Sequence, residues 1–168
     1  GEAVFVAAHE LQVGEGGTTR AVSFDKCVIA AGSESLRLPG LPDDPRIIDS
    51  TGALELDLPE SLLVVGGGII GLEMATVYDA LGVAVSVVEL TPGLMPGCDR
   101  DLVRVLEKRI TRRYARILTG TRMTGIKATT EGLRVAFAGE GAPEPQLFGK
   151  VLVAVGRSPN GRLNRQSP

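Results

Sequence analysis

Val64-Val65-Gly66-Gly67-Gly68-Ile69-Ile70-Gly71-Leu72-Glu73, followed by an acid at Glu89, is the stretch that decides the fold. Leu58-Pro59 break the chain ahead of it, and Leu62 to Val65 then form a short apolar run of strand type. A helical pattern runs from Ile69 to Leu81 and stops at Gly82; a second apolar run, Val83 to Val88, ends in Glu89. Strand, glycine turn, helix, strand and acid together make one unit of a dinucleotide-binding sheet. Gly66 permits the tight turn out of the strand, Gly68 lets the backbone approach a pyrophosphate, and Gly71 lets the helix pack closely on the strand. Phosphates at that point meet a helix N-terminus, where unpaired N–H groups and the positive dipole end favour an anion. Glu89, about 20 residues beyond the turn, stands where a carboxylate accepts a hydrogen bond from a ribose 2′-hydroxyl and repels a 2′-phosphate. Leu90, Thr91 and Pro92 supply no arginine in its place, so the pattern favours NAD over NADP. The plainer reading of three glycines is a tight strand–helix turn without a ligand. The strand, helix and acid in register weigh against it.

Composition bounds the rest. The chain has 168 residues, 43% of them hydrophobic, with 22 glycines and a net charge of −2. That is room for one compact domain and some additional chain. The charge gives no electrostatic case for nucleic acid or a membrane surface as partner. No apolar run approaches the roughly 20 residues that span a bilayer, and no charged-then-apolar signal opens the sequence. The expectation is a cytoplasmic location. Cys27 lies in an apolar run and reads as a buried, inert thiol; Cys98 lies in a polar loop, and neither belongs to a C-x-x-C pair. His9 is the only histidine; a catalytic dyad or metal site needs partners for it, so no metal is expected.

Along the chain, residues 1–24 alternate apolar and polar about a Gly14-Glu15-Gly16-Gly17 turn, the pattern of an antiparallel hairpin or meander. Residues 26–31 predict an apolar strand ending at Gly32, and the proline-rich 38–45 segment predicts an extended connector. Asp49-Ser50-Thr51 offers caps for a short helix through Leu56. Asp99 is expected to cap a longer helix over residues 100–113, with Leu102, Val103, Leu106 and Ile110 at helical spacing. Its Arg100, Arg104, Lys108, Arg109, Arg112 and Arg113 read either as an anion- or partner-binding stripe or, more plainly, as a solvated face. Strands are expected over 117–119, 122–129, 132–138 and 150–155, the middle two as a hairpin about Thr130-Glu131. The fold class is therefore α/β: a Rossmann-like, doubly wound parallel sheet with a β-hairpin or meander crossover. Gly68, Glu89, residues 121–123 and Gly156 should converge beyond the C-terminal ends of its strands.

At this point a family resemblance becomes visible. Residues 44–51 (Asp-Pro-Arg-Ile-Ile-Asp-Ser-Thr), 66–74 (Gly-Gly-Gly-Ile-Ile-Gly-Leu-Glu-Met) and 155–161 (Val-Gly-Arg-Ser-Pro-Asn-Gly) together resemble the dihydrolipoamide dehydrogenases, a branch of the flavoprotein disulfide reductases. The resemblance covers essentially the whole chain, in order. Single motifs are shared with glutathione- and mercuric-reductase-like enzymes; the combination, with Ile69 and no arginine after Glu89, is nearest to the lipoamide branch.

The resemblance implies a domain plan: residues 1–47 as remnant β-strands and connector of a flavin-binding domain, 48–160 as the NAD-binding domain, and 161–168 as a tail. It also implies roles. Gly66, Gly68 and Gly71, with Ile69 and Ile70 at the helix start, would hold the NAD pyrophosphate, and Glu89 the adenosine ribose. The main chain around Met123 would border adenine, and Gly156 would lie near the nicotinamide half. Glu73 resembles the glutamate beside the nicotinamide; its plainer role is a first-turn acid stabilising the helix dipole. Ala3 and Gly32 would touch FAD in a complete enzyme. That parent would oxidise dihydrolipoamide through a disulfide and FAD to NAD, as a homodimer within a 2-oxoacid dehydrogenase complex reached through lipoyl domains. The first FAD glycine motif, the C-x-x-x-x-C redox pair and a histidine–glutamate acid–base pair are not found in these residues. No catalytic residue is therefore expected here, and the chain by itself is expected neither to hold FAD nor to turn over. A stand-alone NAD(H)-sensing or interaction module is the alternative of a different class.

Overall fold

The computed structural model describes residues 1–160; the expected tail at 161–168, and Gly161 of the closing motif, lie outside the described residues. The chain divides into two compact units, one of Ser35–Gly156 and one of Gly1–Glu34 with the segment that starts at Arg157.

In the smaller unit, β1 (Glu2–Ala7), β2 (Glu10–Glu15) and β3 (Thr18–Ser23) form an antiparallel meander in sequence order. Gly16 and Gly17, both at positive φ, make the turn between β2 and β3. The Phe5 ring stands edge-on to Phe24, with centroids 6.1 Å apart. The strand expected over 26–31 does not form. An apolar run becomes a buried strand only when a neighbour takes its N–H and C=O groups. Among the described residues none pairs with this one, so Val28 is 89% exposed and Cys27 is exposed rather than buried. The chain next forms β4 (Ser33–Ser35), which pairs with a strand near the end of the described chain.

The larger unit continues with β5 (Ile47–Ile48), a 3-10 turn at Gly52–Glu55, β6 (Ser61–Val65), α1 (Ile69–Ala80) and β7 (Ala84–Val88). After these come α2 (Arg100–Ile110), β8 (Arg116–Leu118), β9 (Arg122–Ala128), β10 (Leu133–Ala138), β11 (Gln146–Phe148) and β12 (Lys150–Val153). A last strand, β13 (Arg157–Pro159), is the partner of β4. Five strands build one parallel sheet in the order β5-β12-β6-β7-β8. From β6 the chain steps outward to β7 and β8, then returns through β9, β10 and β11 to lay β12 on the other side of β6. The strand order reverses between β6 and β12, and in such sheets a ligand crevice opens at that reversal.

Both faces of the sheet are covered, which explains the uninterrupted apolar runs. Leu62, Val64, Val85, Val87 and Leu152 join Leu72, Ala75, Tyr78, Val103 and Ile110 from the helices in one buried cluster. Leu63, Val65, Val88, Val151 and Val153 face the other way, onto Leu133, Val135 and Phe148 of the antiparallel β9–β10–β11 sheet. Each such side chain contributes about 1.5–3 kcal/mol when fully buried. The connector belongs to this unit as well: Leu38 and Leu41 pack on the second cluster. Arg46, paired with Asp44, donates to the Thr129 carbonyl at 3.0 Å.

Several elements differ from expectation. Asp49 does accept the Thr51 and Gly52 N–H groups, but the helix it opens is a 3-10 turn ending at Glu55, where Leu56 takes a left-handed conformation. Asp99 stands at the N-cap of α2 without a side-chain cap bond, and α2 ends at Ile110. Beyond it Arg113 pairs with Asp79 and Tyr114 is buried with its hydroxyl 3.1 Å from Thr76, which turns the chain toward β8. Leu102 is 68% exposed, so the inward face of α2 is Val103, Leu106 and Ile110. The third strand of the antiparallel layer, β11, has no counterpart among the expected strands. Its three residues are too few for a periodic signal.

Tyr78 is fully buried and donates to the Ala53 carbonyl at 2.9 Å. Burial, then the Asp57 and Glu55 carboxylates, hold its pKa above the ordinary value, and burial does the same for Tyr114. A raised phenol pKa contributes stability fully below about pH 10 that is lost as pH rises beyond it. Tyr78→Phe should cost about 1–2 kcal/mol at neutral pH in a urea melt, through the unsatisfied carbonyl. Its alkaline loss of stability should be shallower than that of the unaltered chain, with Tyr114 retaining part of the slope.

Candidate functional site

The glycine turn links the C-terminal end of β6 to the start of α1, at the reversal of strand order. Gly66 has φ +110, and a Cβ there would lie 2.3 Å from the Ala154 carbonyl oxygen, just past the end of β12. A Cβ on Gly71 would lie 2.1 Å from the Gly66 oxygen and 3.1 Å from Val64 Cγ1. These two glycines are therefore demanded by the fold: backbone runs against backbone with no room for a side chain. Gly68 is different. Its backbone is extended, with φ −80, and a Cβ there would meet nothing within 4 Å. It is the N-cap of α1, and the first amide to bond back is Leu72 N–H, onto the Gly68 carbonyl at 3.0 Å. The amides of Ile69, Ile70 and Gly71 thus precede any intrahelical acceptor. With the dipole end behind them they suit an anion. Ile69 is exposed at this mouth and Ile70 partly so.

Glu89 follows β7 and is 7% exposed. Its Oε2 accepts the Gly67 N–H at 2.7 Å, and its Oε1 accepts the Thr91 N–H and the Thr91 hydroxyl, each at 2.7 Å. Three donors and no cation compensate the buried charge. A carboxylate offers about four acceptor positions, which leaves one on Oε2 for a further donor. The carboxylate is thus tied to the glycine turn itself. Leu94 supports the arrangement from below: it is buried, and a Cβ on Gly67 would fall 2.5 Å from its Cδ2, while the Met95 N–H donates to the Gly67 carbonyl at 2.8 Å.

The expected residues are partly brought together. Gly66, Gly68 and Gly71 share one turn, and Glu89 bonds to it through Gly67. The Thr121 N–H donates to the Glu89 carbonyl at 3.0 Å, which carries the start of β9 alongside. Met123 pairs with Phe137 across β9–β10, and its side chain packs on the Leu133–Val151 cluster, so only its main chain remains for an edge role. Gly156, at φ +136, follows β12 and accepts the Leu36 N–H at 3.0 Å. Glu73 is exposed and lies beyond the first turn of α1, which holds no acid; the dipole role considered for it is weakened accordingly. Ala3, exposed in β1 opposite Val13, and Gly32, at φ +71 with its carbonyl accepting the Asn160 N–H, both lie in the smaller unit. Among the described residues no group of three or more His, Cys, Asp or Glu could hold a metal ion, and no helix is long and apolar enough to cross a membrane.

Sequence reasoning passed over Gly67, Thr91 and Leu94. Thr91 carried one signal, a hydroxyl two residues after an acid at a strand end, the spacing of a local side-chain turn. Gly67 and Leu94 carried none, because their contacts join segments that are distant in sequence.

Comparison with known proteins bears on this geometry. The pyridine nucleotide-disulphide oxidoreductase family matches residues 1–167. A dihydrolipoyl dehydrogenase of Vibrio parahaemolyticus is 45% identical over 162 residues, covering 95% of this chain and 34% of its own length. One from Vibrio cholerae is 46% identical over 163 residues, with 95% and 34% covered. Among solved structures, LpdA from Mycobacterium tuberculosis superposes with a TM-score of 0.80 at 27% identity, over 97% of this chain and 37% of that one. The chain spans about a third of the length of the curated relatives it matches.

The glycines separate into two classes by experiment. Gly66→Ala and Gly71→Ala should each lower stability by about 2–3 kcal/mol, because a backbone must move to admit the methyl group. Gly68→Ala should stay within about 1 kcal/mol of the unaltered chain, a weaker cap set against a less flexible unfolded state. Urea melts of the three variants check this ordering.

Proposed function

The chain belongs to the pyridine nucleotide-disulphide oxidoreductase family, and we propose that its residues 48–160 are the NAD(H)-binding domain of a dihydrolipoyl dehydrogenase. The observation that carries the proposal is the Gly68 cradle beside the Glu89 carboxylate. One is an open approach to helix amides, the other a buried anion with one acceptor position to spare. A dinucleotide fits both: its pyrophosphate needs donors without side chains in the way, and its ribose 2′-hydroxyl needs an acceptor. In this reading the Ile69, Ile70 and Gly71 amides hold the pyrophosphate and Glu89 Oε2 accepts the 2′-hydroxyl. The edge near Met123 borders adenine, and Gly156 with Glu73 lies toward the nicotinamide. NAD(H), when bound, carries the hydride that the parent reaction transfers. What this chain's residues do is orient that cofactor and exclude a 2′-phosphate from a site already holding a negative charge.

The remaining parts of the reading rest on the resemblance. Residues 1–34, with Ala3 and Gly32, would belong to the flavin domain of the parent, and the connector that packs on the larger unit would lead from it into the NAD domain. The parent would be a homodimer in a 2-oxoacid dehydrogenase complex and act in the cytoplasm. The redox thiols and acid–base pair would come from other parts of it, so the 168 residues alone are expected to bind NADH without flavin absorbance and without lipoamide turnover.

Titration followed by nicotinamide fluorescence, unobstructed because the chain has no tryptophan, tests the site. NADH should bind more tightly than NADPH. Glu89→Ala should reduce that preference by about 1–3 kcal/mol, the worth of a hydrogen bond to a charged group, and Gly68→Ala should weaken both cofactors while the fold persists. Equal affinity of the unaltered chain for NADH and NADPH defeats the reading.

A further inference from the structure

We propose that Thr91 is a positioning residue for cofactor selectivity: it fixes the Glu89 carboxylate in the orientation that accepts a ribose 2′-hydroxyl and turns away a 2′-phosphate. The proposal rests on the NAD(H) reading of the site and adds a residue to it. Glu89 has a flexible side chain and no cationic partner in its hydrogen-bond shell; what holds it is a clasp. Gly67 N–H grips Oε2, and the Thr91 N–H and hydroxyl grip Oε1, all at 2.7 Å. Of the three donors only the Thr91 hydroxyl comes from a side chain, so it is the only one that a change of residue type deletes directly.

The hydroxyl has a second consequence. It also lies 2.8 Å from the Gly93 carbonyl oxygen. A hydroxyl has one proton and two lone pairs, and here that proton is divided between two acceptors of the protein. What remains to face an incoming group is lone-pair density, which repels phosphate oxygens. A threonine beside a ribose site would otherwise donate to a 2′-phosphate; in this clasp its donor is already used. The nearby guanidinium is also engaged. Arg100 comes close enough to Gly93 that a Cβ there would lie 3.1 Å from its Nη2, yet it donates to the Leu94 carbonyl at 2.7 Å and pairs with Glu107 at 3.0 Å. The Thr91 proton is thus held within the loop, and Arg100 commits one nitrogen to Leu94 and another to Glu107.

The test compares the ratio of NADPH to NADH dissociation constants in the unaltered chain, Thr91→Val, Thr91→Ala, Thr91→Ser and Glu89→Ala, with thermal melts alongside. Thr91→Val keeps the shape and removes the hydroxyl; Thr91→Ala repeats the deletion if the valine variant folds poorly. Both should shrink the ratio by about tenfold, the loss of one hydrogen bond to a charged group, while Thr91→Ser should restore it. A purely structural role would lower the melting temperature and weaken both cofactors alike, leaving the ratio unmoved. The proposal is overturned if Thr91→Val and Thr91→Ala keep the ratio while Glu89→Ala abolishes it, or if Thr91→Ser loses it as fully as valine does. An unaltered chain with no preference overturns the NAD(H) reading, and this one with it, a result distinct from either of the others.

Discussion

Backbone meets backbone where β6 leaves the sheet, with the Gly66 α-carbon against the Ala154 carbonyl and the Gly66 carbonyl against Gly71. This close approach sets the direction of α1, because the helix can begin only where the turn, squeezed between β6 and β12, lets the chain out. It also sets the site. All five strands of the sheet run parallel, so their C-terminal ends lie on one edge, and the reversal of order between β6 and β12 opens at that edge. A side chain at Gly66 or Gly71 would push these elements apart. The glycine turn and the core are therefore held by the same contacts.

Charge is handled in the same economical space. Glu89 is a buried carboxylate, and a buried charge without partners is costly. The protein satisfies it with two backbone amides and one hydroxyl rather than with a lysine or arginine. A cation would have neutralised the site, whereas amides and a hydroxyl leave its negative charge in place. The same bonds close the glycine turn onto the end of β7. On the opposite face of the larger unit, Leu133, Val135 and Phe148 seal the sheet, so that the strand ends are held by packing on both sides.

Much of this was legible in the residues. Leu62 to Val65 and Val83 to Val88 read as apolar strands, Ile69 to Leu81 as a helix, and Gly82, at φ +91, as its stop. The hairpin about Thr130-Glu131 was also readable, since β9 and β10 alternate and a polar pair separates them. Other readings failed for a common reason. Residues 26–31 have the apolar content of a strand, but content does not supply a neighbour to bond with, and Val28 lies in solvent. Leu102 has the spacing of a core residue, yet spacing leaves the rotation of α2 undecided by one position, and Val103 took the inward place.

Local sequence by itself determined the parallel sheet, the glycine turn at its edge and the acid at Glu89, because periodicity, glycine placement and strand length are properties of adjacent residues. Only the tertiary structure decided what each of those residues touches. Gly66 and Gly71 proved to be packing necessities and Gly68 the open one; Glu89 proved to be clasped by Gly67 and Thr91. These distinctions depend on distances between segments far apart along the chain, Ala154 against Gly66 and Leu94 against Gly67. Such distances exist only once the strand order is formed.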